Sequence, residues 1–410
     1  MFHPLINLLL TFTLIILLLR KKVAMGWVML AAALLLGILF QVSPTDQLLV
    51  LKQAVLSQVF LQLGVALNII IFLEHILRTK GYLNKTLNSL AVLIPNPKVN
   101  IAILPAFLGL LPSPGGAVFS APLVEEAGQT LTMDAEDKSL VNYWFRHVWE
   151  YFMPLYPGTI LVAEILGVPV GRVAAILFGF FFAVILIGFG LIIRKIPKNS
   201  TANSPVRAVN GSPKQALLEL IAGIWPVAVI VLLVLFFHWD VGLTVAGVIV
   251  LLLFLNRYRR AELAQLWQEG FKLSLVYLIA GILIFKEMLQ ASGVVEWLPQ
   301  YLKSLGVPDL AVVIALPFLV AFAVGITQAY VAATFPLLIG IIGHGAGVKP
   351  GMLILAFISG FVGLMLSPMH LCFVLTVDYF KANFLKVWLS LLVPEAILLT
   401  IAIIAGLLWR

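Results

Sequence analysis

Two short polar breaks inside apolar stretches hold the residues of this sequence best placed to bind a ligand. The first, LLPSPGGAVFSAPLVEE, contains Ser113, Pro114, Gly115 and Gly116. Unpaired backbone amides are costly in hydrocarbon, so a break there is tolerated only where protein, water or a ligand satisfies them. Ser113 is a predicted N-cap with Pro114 in the first helical turn, which would aim free N–H groups and a positive dipole end at an anion. The two glycines would let that ligand approach the backbone closely.

The second break, VGITQAYVAATFPLL, repeats this arrangement later in the chain. Thr327 is its predicted N-cap, Gly325 supplies the turn, and Gln328 adds two donors and an acceptor. We expect the two breaks to form tips that face each other from opposite sides of the membrane and bind a small anionic substrate.

Two further breaks, FMPLYPGT and MLSPMHLC, interrupt apolar stretches at 152–159 and 365–372. Four of their polar side chains are expected to project between the tips: Tyr156, Thr159, Ser367 and His370. A single proline or glycine also occurs as a simple kink in membrane helices, and Ser or Thr hydroxyls commonly satisfy a neighbouring carbonyl. The sequence alone therefore leaves two interpretations open: these breaks and hydroxyls form a binding site, or they are kinks and internal hydrogen bonds of membrane helices.

Arg146, His147 and Glu150 form the densest ionisable group within an apolar stretch. The i, i+4 spacing of Arg146 and Glu150 would let the two side chains pair on one helix face. Alternatively, Glu150 or His147 carries a coupling proton, or Arg146 meets the anionic substrate.

Metal, nucleotide and nucleic-acid signals are weak. His370 and Cys372 are the only His and Cys close together in sequence, and no second pair completes a zinc site, so neither metal nor cofactor is expected. No Walker-type motif is present, which argues against ATP-driven pumping. The net charge of +8 orients the chain in a bilayer and does not predict nucleic-acid binding.

Transmembrane helices must position these residues, because 62% of the 410 residues are hydrophobic and only 11% are charged. The class is therefore all-α, with about ten spans and two re-entrant hairpins at 99–127 and 308–342. The spans are predicted at about 4–19, 24–42, 50–77, 140–165, 171–193, 216–238, 241–256, 270–290, 350–380 and 387–409.

Basic residues concentrate in the loops on one side of this topology. The positive-inside rule then makes the linker 194–215 cytoplasmic and both termini non-cytoplasmic, for a multi-pass protein of the inner membrane. If either hairpin were a full span, the loops after it would change sides, and the excess of basic residues on one side of the membrane would be smaller.

An internal repeat relates the two halves, 1–193 and 216–410. At an offset of 212 to 214 residues, FLEHILRTKG aligns with FKEMLQASG, and Pro105 aligns with Pro317. An odd number of spans in each half inverts the second half relative to the first. Inverted repeats with broken helices are typical of secondary transporters.

LLPSPGGAVFSAPLVEE resembles the signature of a family of uncharacterised prokaryotic integral membrane proteins grouped with the ion transporter superfamily. Citrate and dicarboxylate carriers, gluconate permeases and membrane subunits of multi-component carriers belong to that superfamily. The resemblance implies a scaffold domain, a transport domain with two hairpins, a homodimer, and coupling to Na+ or H+. The chain lacks the Ser-Asn-Thr tips of the dicarboxylate carriers, which puts that substrate and its sodium coordination in doubt.

Three classes of function remain after the sequence is read. The leading one is a secondary active transporter that moves a small organic anion across the inner membrane, coupled to H+ or Na+. The alternatives are a channel or membrane subunit of a multi-component carrier, and an intramembrane enzyme, for which no nucleophile and base fall at a recognisable spacing.

Overall fold

Several helices in this protein begin at a capping side chain or a proline. The computed structural model describes residues 4–112, 116–129, 131, 133–196 and 212–409. Over these ranges the chain forms twenty α-helices and no strand, which confirms the all-α class. Ser43, for example, accepts a hydrogen bond from the backbone N–H of Asp46, and Pro44 occupies the first turn of the helix that follows.

Ten helices precede the predicted linker and ten follow it in the parts described. Helices α1 to α10 are Pro4–Arg20, Met25–Leu39, Pro44–Leu56, Gln58–Thr79, Tyr82–Leu93, Pro97–Leu108, Ala117–Gln129, Ala135–Arg146, Pro157–Leu166 and Val170–Ile187. Helices α11 to α20 are Pro213–Phe236, Val241–Leu255, Arg260–Gly270, Leu273–Ala291, Val294–Ser304, Asp309–Val324, Thr327–Ile342, Pro350–Met365, Leu371–Phe380 and Phe384–Leu408. Most of the linker 194–215 lies outside the described residues.

Several helices have the length and the apolar surface that a lipid bilayer requires. Five described helices are long and apolar enough to cross a membrane: α4, α10 with its π and 3-10 extension to Lys195, α11, α14 and α20. Large apolar side chains such as Leu243 and Phe254 on α12 are exposed, as on a surface that faces lipid. These observations indicate a multi-pass membrane protein.

Three predicted spans are not continuous helices. The stretch 50–77 breaks at Ser57, whose hydroxyl donates to the carbonyl of Ala54 at 2.7 Å and accepts from the N–H of Phe60 at 3.0 Å. Ser57 thereby ends α3 and caps α4. The stretch 140–165 is α8 and α9, and 350–380 is α18 and α19, each pair separated by turns. Sequence analysis also missed three shorter helices: α5, α13 and α15.

Each interrupted apolar segment folds as two helices in contact. Helix α6 packs against α7, and α16 packs against α17. The second pair packs on α18, the most deeply buried helix, in which every residue from 351 to 365 is buried.

Helices α2 and α14 cross with their backbones in contact at two glycines. A Cβ on Gly281 would collide with the backbone carbonyl of Gly26, and a Cβ on Gly26 would collide with the backbone of Tyr277. Small residues at such crossings let membrane helices approach closely.

We expect Gly281→Ala to lower the free energy of unfolding by about 1–3 kcal/mol, because an added methyl group overpacks this crossing. The measurement is the thermal unfolding midpoint of the detergent-solubilised protein. Gly247→Ala on α12 is the matched control, since no atom lies within 4 Å of its added Cβ. Equal midpoints for the two variants would contradict the close crossing.

Candidate functional site

The first break, residues 147–156, follows α8. At its start the side chain of His147, and not a backbone N–H, is the hydrogen-bond partner of a carbonyl in the last turn of the helix. Nδ1 of His147 lies 2.6 Å from the carbonyl of Tyr143, the acceptor that the His147 N–H would use in a continued helix. Helix α8 ends just before this residue. Trp149 Nε1 donates to the carbonyl of Ala106 at 2.7 Å, which holds the break against α6.

The second break, residues 366–370, is held against the other hairpin. The hydroxyl of Ser367 donates to the carbonyl of Phe322 on α16 at 2.6 Å and accepts from the N–H of Met369 at 3.2 Å. Helix α19 begins only at Leu371, with His370 as its N-cap. Because its hydroxyl is directed at α16, Ser367 ties two elements together rather than facing a ligand.

The second hairpin tip turns at Gly325, as predicted. Gly325 has a φ of +70° in the left-handed region and ends α16. The N-cap of α17 is Ile326, and Thr327 is the first helical residue, so the predicted N-cap is wrong by one position. Nδ1 of His370 lies 2.9 Å from the carbonyl of Gly325, which joins this tip to the second break.

Part of the first tip lies outside the described residues, namely Ser113, Pro114 and Gly115. Gly116 is in a buried turn, and α7 begins at the next residue.

Asn142 on α8 connects the start of α7 to the second half of the chain. Its Nδ2 donates at 3.1 Å both to the carbonyl of Ala117 and to the hydroxyl of Thr376 on α19. This amide therefore joins helices from both halves behind the breaks.

One cavity of about 260 Å³ lies where the second tip meets both breaks. Its walls combine both breaks and the second tip, and residues of α4 and α14 form its apolar side. Polar and charged side chains in its wall are Arg146, Glu150, Tyr156, Thr327, Gln328, His370 and Cys372. Gly325 and Pro112, the last described residue before the first tip, also line it.

Three helices begin at this cavity without a side-chain cap. Helix α9 starts after Tyr156, α17 after Ile326 and α19 after His370, and none of these N-termini receives a capping hydrogen bond from its N-cap side chain. The positive dipole ends of these helices therefore lie at the cavity, although Pro157 of α9 has no N–H and the N–H of Phe373 in α19 already donates to the carbonyl of His370.

Some residues predicted for the site do not line the cavity. Gly116, His147, Thr159 and Ser367 are buried outside its wall. The hydroxyl of Tyr156 donates to the carbonyl of Gly109, so this residue presents mainly its ring to the space.

Arg146 and Glu150 do not share a helix face, because α8 ends at Arg146 and Glu150 lies in the turns that follow. The predicted i, i+4 helical spacing is therefore wrong. Both side chains line the cavity, where they supply one basic and one acidic group. Glu150 Oε1 lies 3.9 Å from Nε2 of His147.

His147 and His370 bring the two breaks into direct contact, with their Nε2 atoms 3.1 Å apart. Each Nδ1 faces a backbone carbonyl, which only accepts hydrogen bonds, so each Nδ1 donates. Two neutral imidazoles in these tautomers would turn their Nε2 lone pairs toward each other. A proton or a metal cation between the rings would relieve that repulsion.

Cys372 completes a cluster that sequence spacing did not reveal. One ligand atom from each of His147, His370 and Cys372 lies within 4.8 Å of the other two. The expectation of no metal-binding group rested on close sequence neighbours, and His147 comes from 223 residues before His370. The three donors meet only because the breaks pack together.

Glu395 is a second buried group that sequence analysis missed. It lies in the middle of α20, is fully buried, and has no hydrogen-bond partner for either carboxylate oxygen among the described residues. The sequence alone could have identified Glu395, because an acidic residue inside a long apolar helix is a functional candidate by default.

We expect Gly325→Ala to destabilise the protein by more than twice as much as Gly293→Ala. Both glycines have a φ of +70°, which costs an alanine about 1–2 kcal/mol. A Cβ on Gly325 would also lie 2.6 Å from the backbone nitrogen of His370, whereas nothing lies within 4 Å of one on Gly293. Unfolding midpoints in detergent measure the difference, and equal losses would show that the tip does not pack on the second break.

Comparison with known proteins identifies the family but no activity. No curated protein matches the chain. The model of a family described as a protein of unknown function, DUF401, matches residues 5–408. Since that match covers nearly the whole chain, the protein belongs to the DUF401 family.

Proposed function

We propose that this protein is a secondary active transporter that moves a small organic anion across the inner membrane, coupled to H+ or Na+. The observation that carries the proposal is the convergence of three uncapped helix N-termini and Arg146 on one cavity. Each N-terminus is equivalent to roughly half a positive charge, and half-helix N-termini at membrane depth are a recurring way to bind anionic substrates.

The size and wall of the cavity favour a small substrate. Its volume of about 260 Å³ is below the range of drug-sized pockets, which begin at about 300 Å³. Thr327 and Gln328 add neutral donors and acceptors beside the N-termini, and Leu67, Ile70 and Leu275 supply an apolar wall. A short organic anion with one or two acidic groups and a small apolar part matches this lining.

The proposed repeat is supported by local structure at corresponding positions. Left-handed residues recur at Gly81 and Gly293, just before α5 and α15, and again at Gly167 and Lys381, just after α9 and α19. Helices α6 and α16 each contain an internal proline, and so do α7 and α17. These pairs occur in the same order in both halves and at nearly the spacing of the sequence alignment.

Contacts between the halves also follow an exchange of α1–α10 with α11–α20. Helix α2 packs on α14 as α12 packs on α4, and α3 packs on α14 as α13 packs on α4. In the same way α7 packs on α19, and α17 packs on α9. A pseudo-two-fold arrangement of two repeats accounts for these paired contacts.

In the proposed topology, ten spans and two re-entrant hairpins form an inverted repeat. The hairpins enter without crossing, the linker 194–215 is cytoplasmic, and both termini are non-cytoplasmic. Relationship to the ion transporter superfamily and assembly as a homodimer are parts of the same proposal.

Transport is tested with purified protein in proteoliposomes and a panel of small organic anions, using current on a solid-supported membrane and tracer uptake. A saturable signal for one anion that depends on a Na+ or H+ gradient is expected. Non-saturating flux would favour a channel, and chemical change of the anion would favour an enzyme. Silence in both assays would favour the membrane subunit of a multi-component carrier.

We expect Arg146→Gln and Thr327→Val each to reduce uptake of the transported anion at least tenfold, because the first removes a positive charge and the second a hydroxyl group from the cavity wall. Thr400→Val is the control, since its hydroxyl is exposed and bonds only the carbonyl of Ala396 in its own helix. Size-exclusion profiles check folding. Normal uptake in both cavity variants would show that the substrate binds elsewhere.

A further inference from the structure

We infer that His147, His370 and Cys372 form a binding site for a transition-metal cation of the zinc class. Imidazole nitrogen and thiolate sulfur are the ligands that Zn²⁺ prefers in proteins. The inference concerns metal binding itself and does not depend on the proposed transport activity.

The distances match a metal site closely. Zn–N bonds of about 2.0–2.1 Å and Zn–S bonds of about 2.3 Å imply tetrahedral edges of roughly 3.3 Å between two nitrogens and roughly 3.6 Å between nitrogen and sulfur. The Nε2 atoms of His147 and His370 are 3.1 Å apart, and all three donor atoms lie within 4.8 Å of one another. The two nitrogens are thus within a few tenths of an ångström of a tetrahedral edge, whereas the sulfur, within 4.8 Å of both, closes the remaining gap by rotation of the Cys372 side chain.

Both histidines are prepared for this role by their second nitrogen. Nδ1 of His147 donates to the carbonyl of Tyr143, and Nδ1 of His370 donates to the carbonyl of Gly325. Metal-ligating histidines usually donate their other N–H to a carbonyl or carboxylate, which fixes the tautomer and the ring orientation. The Nε2 lone pairs are thus presented toward each other before any metal arrives.

The cavity gives an ion access to the three ligands, and charged side chains lie beside them. His370 and Cys372 line the cavity, so an ion can reach them from that side, whereas His147 is completely buried behind them. Three protein ligands would leave a fourth coordination position for water, as in open zinc sites. Glu150, 3.9 Å from Nε2 of His147, contributes a carboxyl group beside the ion, and Arg146 is the nearby basic group.

Metal binding here must release protons. The thiol of Cys372 loses its proton to become a thiolate ligand, and any proton held between the two Nε2 atoms leaves as the metal takes both lone pairs. Affinity for the metal should therefore rise with pH until the three ligands are fully deprotonated.

Cobalt(II) gives the sharpest test, because this chain has a single cysteine. A thiolate-to-Co²⁺ charge-transfer band in chelator-treated protein in detergent reports on Cys372 alone. We expect one Co²⁺ per chain, intense visible bands of a tetrahedral site, and displacement by Zn²⁺. Alkylation of the one thiol, followed by intact mass, should be slowed at least tenfold by Zn²⁺.

Variants separate the cluster from adventitious binding. Cys372→Ser should abolish the charge-transfer band, and His147→Gln or His370→Gln should weaken Co²⁺ binding more than about 100-fold. His238→Asn is the control, since this exposed histidine lies outside the cluster and asparagine tolerates its left-handed backbone.

Absence of the charge-transfer band in the wild-type protein, unchanged thiol alkylation with Zn²⁺, or equal affinity in the histidine variants would each overturn the metal site. None of these measurements uses transport. A negative result here would therefore leave the transport proposal standing, and a failed transport assay would leave the metal site standing.

Discussion

Satisfaction of backbone polar groups at membrane depth is the constraint on which the rest of this structure depends. Two helices stop inside the apolar interior, and each stop leaves amide and carbonyl groups that lipid cannot pair. Side chains take over part of that demand: His147 bonds the carbonyl of Tyr143, and Ser367 bonds the carbonyl of Phe322. The N–H groups at the starts of α9, α17 and α19 receive no such cap, and these three starts surround the cavity.

The two halves of the chain depend on each other at this cavity. Helix α7 of the first hairpin packs on α19, helix α17 of the second packs on α9, and Asn142 bonds elements of both halves at once. Neither half alone encloses the space. A movement of one hairpin therefore changes the contacts of the opposite break, which is the mechanical coupling that the proposed transport function would need.

Sequence patterns predicted where helices are interrupted more accurately than they predicted the residues at which helices begin and end. Proline and glycine marked the interruptions of the spans 140–165 and 350–380 and of both hairpins, and the turn at Gly325 was predicted correctly, whereas the break of the span 50–77 at Ser57 was missed. Helix ends were predicted less well, because side chains compete for backbone groups there. The imidazole of His147 bonds the carbonyl of Tyr143, four residues before it, where α8 ends. The partner of Ser367, the carbonyl of Phe322 on α16, lies 45 residues away in sequence, so the local pattern carries no record of that bond.

The histidine pair shows why its structural and chemical roles cannot be separated by inspection of sequence. The hydrogen bonds that stabilise the broken backbone, from Nδ1 of His147 and of His370, are the same bonds that fix both tautomers. Because each ring uses Nδ1 for the fold, each must present Nε2 to the other, and the packing of the breaks brings the Cys372 thiol alongside. Donors that are 223 residues apart thus become a ligand set as a consequence of helix termination, not of any motif. The geometry that satisfies the backbone also creates a place for a cation.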